Sequence, residues 1–160
     1  MTSLRQSLPL VLLLAVLSGP GCSTSSTSST TPARPDTAAS RIQSVLDQQV
    51  ADWNAGNLRD FMNGYARSET TRFASGGDVH LGWETVLARY TGRYADRAAM
   101  GRLAFEDIRI TPLAPDAALV FGRWKLQRAN DAPSGLFTLL FRRTPDGWRI
   151  VHDHTSSATP

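Results

Sequence analysis

Apolar residues fall at helical spacing in the first part of the chain and at strand spacing in the last part. Ile42, Val45, Leu46, Val50 and Trp53 follow one another at three- and four-residue steps, so one face of a helix is apolar. Ser40-Arg41-Ile42-Gln43 reads as the capping box that opens this helix, and Gly56 as the left-handed residue that closes it. Asn57 is placed to cap a second, short helix in which Leu58, Phe61, Met62 and Tyr65 form one stripe. A third helix is expected to open near Gly82. It presents Trp83, Val86, Leu87, Tyr90 and Tyr94 on one face and carries Glu84 in the first turn, where a negative charge suits the helix dipole. Between the second and third helices, the stretch from Arg72 to His80 reads as a short hairpin turning at Gly76-Gly77.

Beyond Gly101 the pattern predicts extended segments at 103–113, 117–128, 135–143 and 148–155. Pro112, Pro115-Asp116, Asn130-Asp131-Ala132-Pro133 and Pro145-Asp146-Gly147 separate them, as in an antiparallel meander. In the first of these strands Leu103 and Phe105 have one parity, Ile108 and Ile110 the other. A bulge near Glu106 or Asp107 would keep all four inward and would bend the sheet. Helices followed by a bent meander define an α+β domain with the helices covering one concave sheet face.

The N-terminal segment changes the picture of where this domain works. Arg5, an apolar run from Leu8 to Leu17 and Ser18-Gly19-Pro20-Gly21-Cys22 have the layout of a bacterial secretory signal over 1–21. The apolar run is too short for a bilayer core, which takes ~20 residues. Cys22, the one cysteine of the chain, follows the small residues of the cleavage region and resembles the lipid-modified cysteine of bacterial lipoproteins. Gly19 stands where such signals usually carry Leu, and Ser23 after the cysteine resembles outer-membrane sorting. The expected location is therefore the cell envelope, on the periplasmic face, with a lipid anchor at Cys22. Residues 22–36 are nearly all Ser, Thr, Pro and Ala; they cannot offset their ordering entropy by burial and are expected to act as a tether. The remaining 37–157 suits one compact domain with one core.

The formal net charge of +3 raises the question of nucleic acid. The arginines are scattered among acids and apolar residues without a stripe, so a mildly basic, solvated surface accounts for the charge and no nucleic-acid partner is expected. A Ser nucleophile elbow, a phosphate loop and a dinucleotide fingerprint are all missing from the sequence, and no cofactor is implied.

The last strand holds the densest candidate chemistry. Adjacent strand residues point to opposite faces, so Asp153 and His154 cannot serve each other, whereas His152 and His154 share a face. If Trp148 and Ile150 are inward, His152 and His154 face in; if Val151 is inward, Asp153 does. The high cost of exposing Trp148 favours the first alternative, and a bulge would overturn it. A metal held by His152 and His154 would need a third ligand, with His80 or Glu84 as the convenient donors; no familiar ligand spacing appears and no metal is expected. Tyr65, Tyr90, Tyr94 and Trp124 suit a pocket that is apolar with a few directed polar groups. Arg72 and Arg123 are candidate anion contacts.

Trp53-Asn54-Ala55-Gly56-Asn57-Leu58, Phe61-Met62 with Tyr65, Gly82-Trp83 with Ala88-Arg89-Tyr90, Met100-Gly101, Gly122-Arg123-Trp124 and Gly147-Trp148-Arg149-Ile150-Val151 with Asp153-His154-Thr155-Ser156 together resemble the SnoaL-like branch of the nuclear transport factor 2-like superfamily. The resemblance implies a cone-shaped half-barrel, three helices packed on a bent, mostly antiparallel sheet, with a deep pocket between them and a homodimer through the outer sheet face. Its members include polyketide cyclases, ketosteroid isomerase, scytalone dehydratase, limonene epoxide hydrolase and many proteins without an assigned reaction. Two functions compete. The preferred one is a tethered module that binds a small, largely apolar molecule, with Tyr65, Tyr90, Trp124, His152 and Arg72 lining the pocket. The alternative is a cofactor-independent isomerase, dehydratase, cyclase or hydrolase-like enzyme with Asp153 or His154 as general base and a tyrosine hydroxyl as acid. A purely dimerising domain would instead have its cone plugged by Trp53, Phe61 and Trp124.

Overall fold

The computed structural model describes residues 37–158. The signal reading of 1–21, the tether reading of 22–36 and Cys22 lie outside the described residues. Among the described residues, no helix is long and apolar enough to cross a membrane.

Helix α1 runs Ala38–Ala55, with Ile42, Leu46, Gln49 and Trp53 buried. Its capping box starts three residues earlier than the pattern suggested. Thr37 takes the amide of Ser40 at 3.1 Å while the Ser40 hydroxyl takes that of Thr37 at 2.9 Å. Ala38 and Ala39 are good helix formers, so the helix extends back to the first hydroxyl able to receive its amides. Gly56 closes α1 at φ 86°, a left-handed conformation that a side chain would strain.

Helix α2, Leu58–Phe61, passes into a 3-10 turn at Met62–Gly64, and Tyr65 is already extended. The expected stripe through Tyr65 thus ends one turn early, although Phe61, Met62 and Tyr65 are all buried. Asn57 precedes α2 without a side-chain cap bond. Helix α3 is Trp83–Arg93. A short helix α4, Arg97–Met100, was not anticipated: four residues carry no periodicity, although Asp96 caps it by accepting from the amide of Ala99 at 2.8 Å.

The strands are β1 (Arg72–Ser75), β2 (Asp78–Leu81), β3 (Arg102–Ala114), β4 (Ala117–Gln127), β5 (Ser134–Thr144) and β6 (Gly147–Thr155). They form one six-stranded sheet in the order β2-β1-β6-β5-β4-β3. The β3–β6 meander matches the expected segments. The β1–β2 hairpin is no separate feature but the far edge of the same sheet, joined to β6 by parallel pairing, Phe73 opposite Asp153. That pairing makes the sheet mixed.

Two bulges shape it. In β3 the register shifts between Glu106 and Arg109, with Asp107 at φ 55°. Aspartate tolerates this conformation better than most residues, and the extra residue keeps Leu103, Phe105, Ile108 and Ile110 packed with the core, as the parity switch predicted. In β6 the register shifts so that Phe141 faces Ile150 and Leu140 faces His152, leaving Val151 as the extra residue.

The core lies between the concave face and the helices. Ala118 and Val120 of β4, Phe137, Leu139 and Phe141 of β5, and Trp148 and Ile150 of β6 meet Ile42, Leu46 and Trp53 of α1 and Val86 and Tyr90 of α3. The indole of Trp53 donates to the Met100 carbonyl at 3.2 Å and that of Trp83 to the Met62 carbonyl at 2.9 Å. Buried donors are thereby satisfied while their rings fill the core.

Candidate functional site

A cavity of about 310 Å³ remains between α1, α3 and the concave sheet face. Trp53, Phe61 and Trp124 form part of its wall rather than plugging it. Much of the remaining wall is aromatic, with Phe73, Tyr94, Phe105 and Phe137 among its members. Edge-to-face contacts such as Trp53 on Phe61, with centroids 5.2 Å apart, and Phe61 on Tyr90, at 5.3 Å, hold the rings in place.

Asp153 borders this cavity and is 5 % exposed. Its Oδ2 accepts a hydrogen bond from the Tyr65 hydroxyl at 2.7 Å. The Tyr65 and Tyr90 hydroxyls are 3.3 Å apart, extending the chain of polar atoms to α3. The Oδ1 atom of Asp153 is buried and has no hydrogen-bond partner among the described residues. Burial pushes the Asp153 carboxyl up to about 7, because an apolar surround penalises the charged form; the Tyr65 hydrogen bond and the charge of Arg89 pull the other way without cancelling it. Burial likewise raises both tyrosine hydroxyls, with the Asp153 charge adding to the effect, so they remain proton donors at any physiological pH.

The β6 bulge decides which expected residues come together here. A regular strand with Trp148 and Ile150 inward would have turned His152 and His154 inward too. Because Val151 is extra, Trp148 (4 % exposed), Ile150 (1 %) and Asp153 (5 %) are all buried. His152 and His154 instead share the outer face, the first half-buried and the second exposed. Neither borders the cavity, and the expectation that they would line it is corrected by the bulge. His154 is therefore not placed to act as a base inside. Burial first, then the charges of Arg72 and His154, lower the pKa of His152.

Arg72 pairs across β1 with Leu81 and His152 in the sheet and is likewise exposed on the outer face, outside the pocket. Arg123 is also an outer-face residue, 3.6 Å from Asp107 at the β3 bulge. Tyr65, Tyr90, Trp124 and Asp153 do border the cavity. The indole N–H of Trp124 is committed to the Ser156 carbonyl at 3.0 Å, so this residue contributes its ring rather than a free donor. Gly135 permits that closure, since a Cβ there would overlap the Ser156 carbonyl oxygen.

Sequence reasoning missed Phe73, Arg89 and Arg93 as cavity residues. The alternation of Arg89-Tyr90 with Arg93-Tyr94 at helical spacing was the available signal for the two arginines. For Phe73 no local signal existed, because its place depends on the parallel pairing with β6. Among the described residues, no three His, Cys, Asp or Glu side chains gather as a metal would require.

The SnoaL-like domain family model matches residues 42–160 of the chain. An NTF-2 like protein of unknown function from Shewanella oneidensis MR-1 is 39 % identical, with 75 % of this chain and 99 % of that one covered and a TM-score of 0.72. The chain belongs to the SnoaL-like domain family.

More distant structures share the fold of this SnoaL-like domain. A ketosteroid isomerase-like protein from Erwinia carotovora atroseptica is 15 % identical, with 78 % and 99 % covered and a TM-score of 0.62. A protein of unknown function with a cystatin-like fold from Nostoc punctiforme is 10 % identical, with 75 % and 90 % covered and a TM-score of 0.61. Among curated proteins there is no match. In this SnoaL-like domain the polar lining of the cavity includes Asp153, Tyr65, Tyr90, Arg89 and Arg93, set among aromatic rings.

Proposed function

We propose that this domain holds a small, largely apolar molecule in its cavity, with Asp153 as a buried polar contact. The observation that carries this reading is the buried, unpartnered Oδ1 of Asp153 beside an aromatic-walled hollow. An unsatisfied buried acceptor costs about 1–3 kcal/mol, which a ligand hydroxyl or N–H placed there would recover. An enclosed hollow in which aromatic rings are interleaved with directed polar groups suits a small molecule. The test is titration with 2-naphthol, followed by tryptophan fluorescence, because its rings suit the wall and its hydroxyl suits Oδ1. Saturable binding that weakens about tenfold in Asp153→Asn is expected, since the amide turns a donor toward the ligand hydroxyl while still accepting from Tyr65. Absence of saturable binding would remove the proposal.

A second reading is favoured by one specific observation, the near-neutral carboxyl of Asp153. A base that titrates near the working pH can take a proton and return it. In this reading Oδ1 of Asp153 removes a proton next to a carbonyl, and the Tyr90 hydroxyl donates a hydrogen bond to the developing oxyanion. Deuterium exchange into 2-tetralone, read by NMR, tests it. Protein-dependent exchange that rises with pH through about 7 and vanishes in Asp153→Asn is expected; exchange no faster than in buffer would exclude it.

The proposed setting is the cell envelope, with the domain anchored through Cys22, on the strength of the N-terminal sequence alone. Incorporation of labelled palmitate, lost in Cys22→Ala, tests this. Self-association is proposed through the outer sheet face, where Leu119, Phe121 and Leu136 are 37 %, 39 % and 39 % exposed. Large apolar side chains grouped on one open sheet face favour burial against a partner.

A further inference from the structure

Two guanidinium groups reach the cavity from one helix. Arg89 and Arg93 are four residues apart on α3, hence on the same face, and both border the hollow. Like charges at this spacing repel one another unless an anion lies nearby. Neither arginine forms an ion pair among the described residues, where the ion pairs present involve Arg123, Lys125, Arg128 and Arg142. The one acid on the rim, Asp78 of β2, is exposed and bonded to neither. Inside, Asp153 feels the charge of Arg89 without touching it.

The arginines are also held in place. The guanidinium of Arg89 lies 4.2 Å from the centroid of the Phe73 ring and 5.9 Å from that of Tyr90, while that of Arg93 lies 5.9 Å from Tyr94. Stacking of this kind uses the face of a guanidinium and leaves its N–H edge free, which is the edge that matches a carboxylate. The cavity lining therefore carries groups of both signs. A buried carboxyl with two tyrosines and two cations without an ion-pair partner among the described residues are set among aromatic rings, Arg89 being close enough for its charge to act on Asp153.

We infer that the molecule held here is a compact, ring-bearing carboxylate, its apolar body among the aromatic side chains and its negative end on Arg89 and Arg93. This rests on the ligand-holding reading and names the class of ligand. A neutral molecule would leave both guanidiniums paired only with water, and a cationic one would be repelled by them.

The test compares 2-naphthoate, 2-naphthamide and 2-naphthylmethylamine, which share one ring body and differ in charge, by calorimetric titration of the full chain. The carboxylate should bind about tenfold or more tightly than the amide, given the added strength of charge-assisted hydrogen bonds. That preference should shrink with added salt and fall to about threefold or less in Arg93→Gln, whose side chain is exposed and whose loss spares the fold. Arg89→Lys, which keeps the charge but loses the planar fork, should retain part of the preference. Equal binding of carboxylate and amide, or tighter binding of the amine, would overturn this inference and leave the ligand-holding reading standing. Failure of all three probes to bind would overturn both.

Discussion

The two faces of strand β6 carry similar ionisable side chains in opposite circumstances. On the inner face Asp153 sits against aromatic rings and accepts from one tyrosine, with its carboxyl pushed up to about 7. On the outer face His152 and His154 stand beside Arg72 on an open surface that also carries Leu119 and Phe121. Residues adjacent in the chain thus fall into a dry compartment and a wet one, and one extra residue, Val151, decides the sorting. The difference teaches that the chemistry of this site depends less on which ionisable residues the strand contains than on the bulge that selects one of them for burial.

The contrast can be broken most strongly through pH. The Asp153 carboxyl titrates near 7 when folded and near its ordinary value of 3.8 when unfolded, so the unfolded chain releases this proton first as pH rises. Stability contributed by the neutral carboxyl is intact below the unfolded value, falls through the window from about 4 to about 7, and then levels off. The full difference is on the order of 4 kcal/mol. Urea unfolding of wild type and Asp153→Asn between pH 4 and pH 8 should show this slope in the first and lose it in the second. The double variant His152→Ala with His154→Ala should retain it.

Removing the hydroxyl that serves the inner face is expected to act next most strongly. Tyr65→Phe leaves Asp153 without its donor, which should cost about 1.5–3 kcal/mol at pH 8, where the carboxylate is charged. Because that hydrogen bond lowers the carboxyl pKa, the midpoint should also move above the wild-type value. A matching change outside, Arg72→Ala, should stay within about 0.5 kcal/mol in the same denaturation experiment.

The outer face is sharpened by Phe121→Glu. The charge should leave the unfolding of the single domain within about 0.5 kcal/mol of wild type, as for most surface changes, apart from any stability that pairing of two copies contributes. If that face joins two copies, light scattering should record a monomer for this variant and a dimer for wild type.

Much of the fold was legible because its signals are local. The bulge in β3 followed from the parity switch between Leu103–Phe105 and Ile108–Ile110, since four apolar residues could share the core in no other way. The end of α1 was readable from Gly56 alone. The bulge in β6 had no such signature. Trp148 and Ile150 argued for one parity, and the ionisable run after them fits either face, so the inward turn of Asp153 depends on a register set by Leu140 and Phe141 of another strand. The site itself joins Tyr65 to a partner 88 positions later, beside an isolated parallel bridge of Tyr65 to Ile150 that no local pattern announces. Helix α4 was missed for want of length, although its capping aspartate stood in view.

The smallest expected effect concerns the bulge. Deleting Val151 removes the extra residue but leaves His152 outward and Asp153 inward, because a regular strand after Ile150 alternates that way. The fold should tolerate it, with Asp153 still titrating well above an exposed carboxylate.

The most direct measurement is the titration of the Asp153 carboxyl carbon by NMR in the intact chain. A midpoint near 7, moving upward in Tyr65→Phe, is what an enclosed carboxyl bonded to one tyrosine requires. A midpoint near 4 would place Asp153 in water and contradict the sheltered cavity on which the proposed functions depend.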